Sequence, residues 1–133
     1  MRICLDTNVL LSGIFWKGIP GRIIDAWIEE KFDVIVSPSV LEEYISVLRR
    51  LGSSVDLSLV EKWIPVIFEK VLTILVPSSS LQWSRDSDDD QFIELALAGK
   101  ADYLVSGDRD LLDLVGTLPI RIVSPRNFLE IIL

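Results

Sequence analysis

Five short, continuous apolar segments alternate with amphipathic segments along this 133-residue chain. The apolar segments lie at 2–5, 33–36, 72–76, 103–105 and 120–123. Helical periodicity is found near 20–31, 39–51, 56–71, 88–99, 108–115 and 125–132. Strands that are apolar throughout are typical of a parallel sheet covered on both faces. The alternation therefore predicts an α/β fold with a parallel sheet and right-handed crossovers.

Local signals predict where three of the helices begin or end. Ser37 can cap a helix whose first residue is Pro38, and Ser124 with Pro125 repeats that pattern near the end of the chain. Gly52 stands where a helix C-cap is expected, just before two serines. These signals support the helical segments that start near 38 and 125, and they predict that the first of these helices ends near 52.

Length and composition limit the class of protein. The size is that of one domain, 1–133, and 50% apolar residues suffice for a sizeable core. No apolar run approaches the ~20 residues that a membrane span needs. Asp6, Asn8 and Ser12 interrupt the apolar N-terminal stretch, and no clear cleavage site follows it, so a signal peptide is not indicated. We expect a single cytoplasmic domain that does not enter a membrane.

The residue types limit the chemistry. The chain has no His, which excludes His-based triads and His metal sites, and the lone Cys4 excludes an intramolecular disulfide framework. The net charge of -7 counts against a broad nucleic-acid footprint, because proteins that grip phosphates are usually basic. A nuclease stays open, because site acids that bind metal can carry such charge. The alternative is that excess acid only keeps an apolar domain in solution.

Carboxylates follow two of the predicted strands. Asp6 ends the first strand-like run, and Asp108 ends a later run that begins at Tyr103. Ligands of open α/β sheets bind outside the carboxyl ends of the strands, so both acids are predicted at one edge of the sheet. The acidic run at 86–90 can add further carboxylates. Converging oxygen ligands of this kind suit a hard divalent cation.

Helix geometry selects one acid of that run. The helical segment from 88 to 99 has an apolar face formed by Phe92, Ile93, Ala96 and Leu97. At ~100° per residue, Asp89 lies near the centre of that face, whereas Asp88 and Asp90 lie near its margins. Asp89 is therefore predicted to point over the sheet at the start of its helix. For Asp86 and Asp88 an alternative role has equal weight: they cap the helix and interact favourably with the positive end of its dipole.

The same geometry separates two neighbouring glutamates. The predicted buried face of the segment at 39–51 consists of Val40, Tyr44, Val47, Leu48 and Leu51. Glu42 lies nearly opposite this face, and Glu43 lies at its border, within reach of the sheet edge. Glu43 is therefore the better candidate for a site. The alternative is that Glu43 is an ordinary solvated residue.

Four sequence blocks together resemble the PIN-domain family. They are LDTNVLLS at 5–12, SPSVLEEYISVL at 37–48, RDSDDDQFIELALAGKADYLVSGDRDLL at 85–112 and IVSPRNFL at 122–129. The resemblance is closest to the bacterial and archaeal branch that contains toxins of type II toxin–antitoxin pairs. It implies a three-layer α/β/α sandwich with a parallel five-stranded sheet. It also implies a single nuclease domain with metal-dependent ribonuclease activity.

The resemblance assigns two sets of site residues. The four family acids fall on Asp6, Glu43, Asp89 and Asp108. Residues in supporting roles are Thr7, Asn8, Asp86, Ser106 and Asp110. Asp6 and Asp89 would be the principal ligands of Mg²⁺ or Mn²⁺, and Asp108 would complete the shell. Glu43 would hold a second ion or position the attacking water, and hydrolysis would leave a 5′-phosphate and a 3′-hydroxyl.

Partners are also implied. We expect an RNA substrate, a cognate antitoxin protein, and a homodimer or a higher oligomer. Arg85 and Arg109 adjoin site acids and either meet RNA phosphates or pair with those acids. Phe15, Trp16 and Trp27 follow the first block and belong either to the core or to a surface for a dimer or an antitoxin.

Two other function classes remain open. One is a catalytically inactive PIN scaffold that binds RNA or protein, although all four acids are retained. The other is a receiver-like phosphoacceptor domain, which also gathers acids at the edge of a parallel sheet. That class has a Lys near its last strand, whereas here the segment at 120–123 leads to Ser124, Pro125 and Arg126. Glu43 has no place in it either.

Overall fold

The computed structural model describes residues 1–77, 83 and 87–133. Its strands form one parallel sheet. They are β1 (Arg2–Leu5), β2 (Asp33–Val36), β3 (Leu72–Thr73), β4 (Tyr103–Val105) and β5 (Ile122–Val123). Their order is β3-β2-β1-β4-β5, and all neighbouring strands are parallel. The predicted parallel five-stranded sheet is thereby confirmed within the described residues.

Seven helices accompany the sheet in the described residues. They are α1 (Thr7–Phe15), α2 (Gly18–Ile28), α3 (Pro38–Val55), α4 (Leu57–Lys70), α5 (Asp90–Ala98), α6 (Arg109–Leu112) and α7 (Pro125–Ile132), and a 3₁₀ turn (Ser87–Asp89) leads into α5. The connections from β1 to β3 run in one direction and those from β4 to β5 in the other. Right-handed connections in opposite directions place their helices on opposite faces of the sheet. The result is the expected three-layer α/β/α sandwich.

Helix α1 is absent from the sequence-based prediction. Its residues Thr7, Val9, Leu10, Leu11, Gly13 and Ile14 are buried, so apolar side chains surround most of the helix. A helix buried on most sides lacks the alternation of polar and apolar faces by which amphipathic helices are recognised. The periodicity of the sequence therefore gave no clear signal for α1, although this helix begins directly after Asp6.

The two edge strands are shorter than predicted. The segment at 72–76 pairs only over Leu72–Thr73, and the segment at 120–123 only over Ile122–Val123. Each edge strand has a single neighbour in the sheet order, so it has fewer ladder hydrogen bonds to hold it in an extended conformation. Strand length in this sheet is set by the neighbouring strands as well as by apolar character.

Two helix boundaries also differ from the prediction. The segment predicted at 20–31 forms Gly18–Ile28, and Glu30 then takes a left-handed conformation with φ 63°. The segment predicted at 108–115 is helical only over Arg109–Leu112. In both cases the helix ends before the apolar periodicity does, because the chain forms a turn there.

The N-cap predictions are confirmed. The hydroxyl of Ser37 accepts a hydrogen bond from the main-chain N–H of Val40 at 3.1 Å, and that of Ser124 accepts one from Asn127 at 3.2 Å. Cys4 is fully buried in the core, as expected for a small apolar residue. None of the helices in the described part of the chain has the length and apolar character of a membrane span.

The prediction that Gly52 ends a helix is wrong. Helix α3 continues through Gly52 to Val55. Gly52 is buried, and a Cβ atom at this position would lie 1.8 Å from Cγ2 of Val60 on α4. Glycine is therefore needed here because α3 and α4 approach each other closely, and not because the backbone turns.

The contact between Gly52 and Val60 leads to a stability prediction. Gly52→Ala should destabilise the protein by about 1–3 kcal/mol in urea unfolding, because the added methyl group overpacks the interface. The control is Ser53→Ala on the exposed side of α3, which should change little. Adding Val60→Ala should recover part of the loss. A double variant that is less stable than Gly52→Ala by the full cost of Val60→Ala would contradict this explanation.

Candidate functional site

The polar residues of the candidate site lie at the carboxyl ends of β1 and β4, the two adjacent strands from which the chain continues toward opposite edges of the sheet. Asp6 follows β1, and Ser106 and Asp108 follow β4, the strand that pairs with β1. The main-chain N–H of Asp6 donates to the carbonyl of Val105 at 3.0 Å, which joins the two strand ends. Chain connections leave β1 and β4 in opposite directions, and ligands of open α/β folds bind in the crevice at such a point. This edge of the sheet is therefore the candidate functional site.

Asp6 lies at the base of the site and is only 6% exposed. The hydroxyl of Ser106 donates to Oδ2 of Asp6 at 2.6 Å and accepts from the main-chain N–H of Asp108 at 2.9 Å. Burial raises the pKa of Asp6, and the charges of Asp108 and Glu43 raise it further. Hydrogen bonds from Ser106 and from the main chain of Asn8 act in the opposite direction. The site thus contains a buried carboxyl group that resists ionisation.

Glu43 is held on both sides of its carboxylate. The hydroxyl of Thr7 donates to Oε2 of Glu43, and the side-chain amide of Gln91 donates to Oε1 at 2.9 Å. Glu43 is half-buried, whereas Glu42 is exposed, so the orientation predicted from helix geometry is confirmed for both residues. The two donors fix the position of the Glu43 carboxylate beside Asp6.

Three other acids form a compact cluster. Asp89, Asp108 and Asp110 each offer one carboxylate oxygen, and these oxygens all lie within 4.8 Å of one another. Asp89 is 5% exposed, which confirms that its side chain faces inward. Oδ1 of Asp108 accepts from the main-chain N–H of Asp110 at 2.8 Å and thereby caps α6. Asp110, which the resemblance gave only a supporting role, is a full member of this cluster.

The donor set fits a hard divalent cation. Oxygen ligands bind Mg²⁺ at about 2.0–2.1 Å and Ca²⁺ at about 2.3–2.6 Å, so two ligands of one ion lie at most about 4.2 Å apart for Mg²⁺ and about 5.2 Å apart for Ca²⁺. The carboxylate oxygens of Asp89, Asp108 and Asp110, which all lie within 4.8 Å of one another, meet the wider of these limits. Carboxylates are also the ligand type that Mg²⁺ and Mn²⁺ prefer. The cluster is therefore a candidate site for a divalent cation.

The remaining residues singled out in the sequence have varied positions. Asn8 is exposed and meets Asp6 through its main chain, and Asp88 is exposed too. Arg109 is exposed next to Asp108. Asp86 and Arg85 lie outside the described residues.

The aromatic residues after the first block divide between core and surface. Trp27 is buried in the core, and Phe15 is partly buried against it. Trp16 is 61% exposed. Of the three, Trp16 is therefore the residue that is free to meet a partner in the described structure.

Two residues that contact the site were not selected from the sequence. The helix geometry of this segment distinguished only among its acids, and it gave no reason to select Gln91. Gln91 lies in the first turn of α5 and carries an uncharged amide group. Tyr44 was predicted only to be buried.

Tyr44 connects α3 to the end of β1. Its phenol donates a hydrogen bond to the carbonyl of Leu5, the residue before Asp6. The ring is fully buried, and this burial raises the pKa of Tyr44, so the phenol keeps its proton and remains a donor. Tyr44 and the neighbouring Glu43 thus fix α3 against the strand that carries Asp6.

Loss of this hydrogen bond should be measurable. Tyr44→Phe should destabilise the protein by about 1–3 kcal/mol, because it removes the donor to a buried carbonyl group. The measurement is chemical unfolding, with Tyr103→Phe as a matched control at a less buried tyrosine. Equal effects of the two substitutions would show that the phenol of Tyr44 does not support the site.

Residues 2–110 match the model of the PIN domain, and the chain belongs to the PIN-domain family. The match includes three of the four sequence blocks almost completely and ends before the last. Over an alignment of 145 positions the chain is 30% identical to an uncharacterised protein of Methanocaldococcus jannaschii, with 98% of this chain and 90% of that protein covered.

Solved structures support the same fold. VapBC2 from Rickettsia felis, bound to a DNA fragment from its promoter, aligns with a TM-score of 0.60 and 14% identity, covering 93% of this chain and 98% of that one. PAE2754 from Pyrobaculum aerophilum aligns with a TM-score of 0.63 and 16% identity, covering 99% and 89%. At these identities the likeness concerns the fold, which agrees with the sandwich described above.

Proposed function

We propose that this PIN-domain protein is a metal-dependent ribonuclease that hydrolyses phosphodiester bonds of RNA. The observation that carries the proposal is the cluster of Asp89, Asp108 and Asp110, whose carboxylate oxygens lie within 4.8 Å of one another. The cluster lies next to the buried Asp6, whose pKa responds to Asp108. This is the crevice where an open α/β sheet binds its ligand.

We assign the binding of Mg²⁺ or Mn²⁺ to Asp89, Asp108 and Asp110, with Asp6 as a further ligand, directly or through water. The bound ion would lower the pKa of a water molecule and offset charge on the attacked phosphate. Asp6 is supported by the hydroxyl of Ser106, which fixes the carboxyl group that the ion would meet. Supporting hydrogen bonds of this kind orient metal ligands and tune their basicity.

Glu43 is the group that would handle the proton of the attacking water. Its carboxylate can accept a proton, and hydrogen bonds from Thr7 and Gln91 keep it in one orientation. The chain has no His, so a carboxylate is the natural general base at this site. Hydrolysis would leave a 5′-phosphate and a 3′-hydroxyl.

The biological role that we propose is that of the toxin in a type II toxin–antitoxin pair, in the cytoplasm. Two observations support it: the sequence blocks that resemble the toxin branch, and the fold similarity to VapBC2 of Rickettsia felis. A cognate antitoxin would be the protein partner, and a homodimer or a higher oligomer is the expected assembly. Growth arrest on expression of the wild type, but not of Asp89→Asn, would support this role.

The ribonuclease proposal is tested by an assay of single-stranded RNA cleavage in the presence of different metal ions. Purified protein should cleave RNA with Mn²⁺ or Mg²⁺, lose the activity in EDTA and regain it when Mn²⁺ is restored. Sequencing of the product ends should find 5′-phosphates. RNA binding without cleavage under all metal conditions would instead support an inactive scaffold.

A further inference from the structure

A second cleft opens beside the acids, at the same edge of the sheet. It has a volume of about 390 Å³, within the range of about 300–1,000 Å³ that is usual for ligand sites. Its lining includes Ser37, Ser39, Val76, Pro77, Gln91 and Glu94. The serines follow β2, Val76 and Pro77 follow β3, and the last two belong to α5. The cleft therefore lies outside the carboxyl ends of β2 and β3.

Gln91 joins this cleft to the proposed active site. Its side chain lines the cleft and also donates to Oε1 of Glu43 at 2.9 Å. A group bound in the cleft would thus be separated from Glu43 by a single side chain. An RNA strand whose phosphate lies at the acids could place a neighbouring nucleotide here.

The chemistry of the cleft suits a neutral, flat group more than a phosphate. Its described lining contains hydroxyl groups, an amide and the carboxylate of Glu94, but no Lys or Arg. An ionised carboxylate repels phosphate and accepts hydrogen bonds. Val76 and Pro77 add apolar surface against which a ring can pack.

An aromatic ring borders an extension of the same cleft. A smaller cleft of about 190 Å³ shares Val76, Pro77 and Glu94 with the first and continues to Trp83 and Leu97. The indole N–H of Trp83 is buried and has no hydrogen-bond partner within the described residues. Proteins bind unstacked RNA bases by stacking them on aromatic side chains and by hydrogen bonds to their edges. Trp83 supplies an aromatic ring for stacking, and Glu94 supplies a carboxylate for hydrogen bonds to the edge of a base.

We propose that this cleft binds a nucleobase next to the scissile phosphate and that Glu94 makes it prefer guanine. The proposal rests on the ribonuclease function proposed above. The Watson–Crick edge of guanine presents two adjacent N–H donors, which match the two acceptor oxygens of a carboxylate. Adenine presents one donor beside a lone pair, and that lone pair would repel Glu94. Glu94 would then be a specificity residue of the nuclease.

The first test is the cleavage preference of the full-length protein. Sequencing of cleaved random RNA should show an excess of guanine at one fixed position next to the cut. Glu94→Gln should lower the ratio of kcat/KM for guanine over adenine at that position by about tenfold or more, since a bidentate base contact discriminates on this scale. Glu130→Gln, an exposed residue on α7, is the matched control. An unchanged preference in Glu94→Gln, or no guanine preference in the wild type, would overturn the proposal.

The second test does not depend on cleavage. GMP and AMP share the same phosphate and ribose, so a difference between them reports on the base. GMP should shift the NMR signal of the Trp83 indole N–H more than AMP does, and Glu94→Gln should remove that difference. Equal responses to GMP and AMP would reject the guanine cleft. A protein that shows the GMP response but cleaves no RNA would keep the cleft and disprove the ribonuclease function.

Discussion

Asp89→Asn is expected to lower the rate of metal-dependent RNA cleavage by at least about a hundredfold, the scale typical for loss of one group that stabilises charge in a transition state. Asp89 is 5% exposed, and its carboxylate faces those of Asp108 and Asp110 within 4.8 Å. Asparagine keeps the shape of the side chain but removes the charge that attracts a cation. The measurement is the initial rate of RNA cleavage with Mn²⁺, together with thermal unfolding to establish that the fold is retained.

The neighbouring glutamates provide the sharpest control for this site assignment. Glu43→Gln should reduce cleavage, because the carboxylate positioned by Thr7 and Gln91 loses its ability to accept a proton. Glu42→Gln should leave activity unchanged, since Glu42 is exposed on the other side of α3. If Glu42→Gln inactivates the protein and Glu43→Gln does not, the assignment of Glu43 is wrong.

A divalent cation is expected to stabilise the protein strongly at pH 7.5. An ion that binds only the folded acid cluster adds RT ln(1 + [L]/Kd) to the free energy of unfolding, about 2.7 kcal/mol at 100 times Kd. Asp6→Asn should reduce this gain, because one carboxylate of the site loses its charge. The measurement is thermal unfolding of both proteins with and without Mn²⁺. Equal Mn²⁺ shifts in the wild type and in Asp6→Asn would mean that Asp6 is not a ligand of the ion.

Without metal, Asp6→Asn should be more stable than the wild type at pH 7.5. The pKa of Asp6 is raised in the folded state, chiefly by burial, above the ordinary aspartate value of about 3.9. The folded protein then holds the proton of Asp6 more tightly than the unfolded chain does. The resulting stabilisation is complete below the unfolded pKa and is lost as pH rises through the folded pKa. At pH 7.5 the wild type has to ionise this buried carboxyl group, whereas the neutral side chain of Asp6→Asn does not ionise, so the variant is the more stable protein. A less stable Asp6→Asn would show that the ionised Asp6 supports the fold.

Much of the framework of this site followed from short-range sequence signals. The central strands β1, β2 and β4 lie where continuous apolar segments predicted them. Helix periodicity correctly predicted that Asp89 is buried, that Glu43 lies at the border of the buried face and that Glu42 is exposed. Ser37 and Ser124 cap their helices as predicted. These features depend on residues within a few positions of one another, so that sequence spacing is enough to define them.

Contacts between segments that are distant in the sequence could be identified only from the tertiary structure. Glu43 meets Thr7 and Gln91 across separations of 36 and 48 residues, and Ser106 meets Asp6 across 100. The membership of Asp110 in the acid cluster likewise depends on how α5 and β4 pack together.

Local patterns were also misleading where packing overrode them. Gly52 has the sequence signature of a helix end, but it is fixed by the approach of Val60 on another helix. Helix α1 gave no amphipathic signal because its neighbours bury most of its surface. The sequence by itself determined the central strands, the N-caps and the inward direction of Asp89, because these depend on short-range signals along the chain. The tertiary structure decided which donors hold those acids and which carboxylates can share an ion, because these depend on distances between elements.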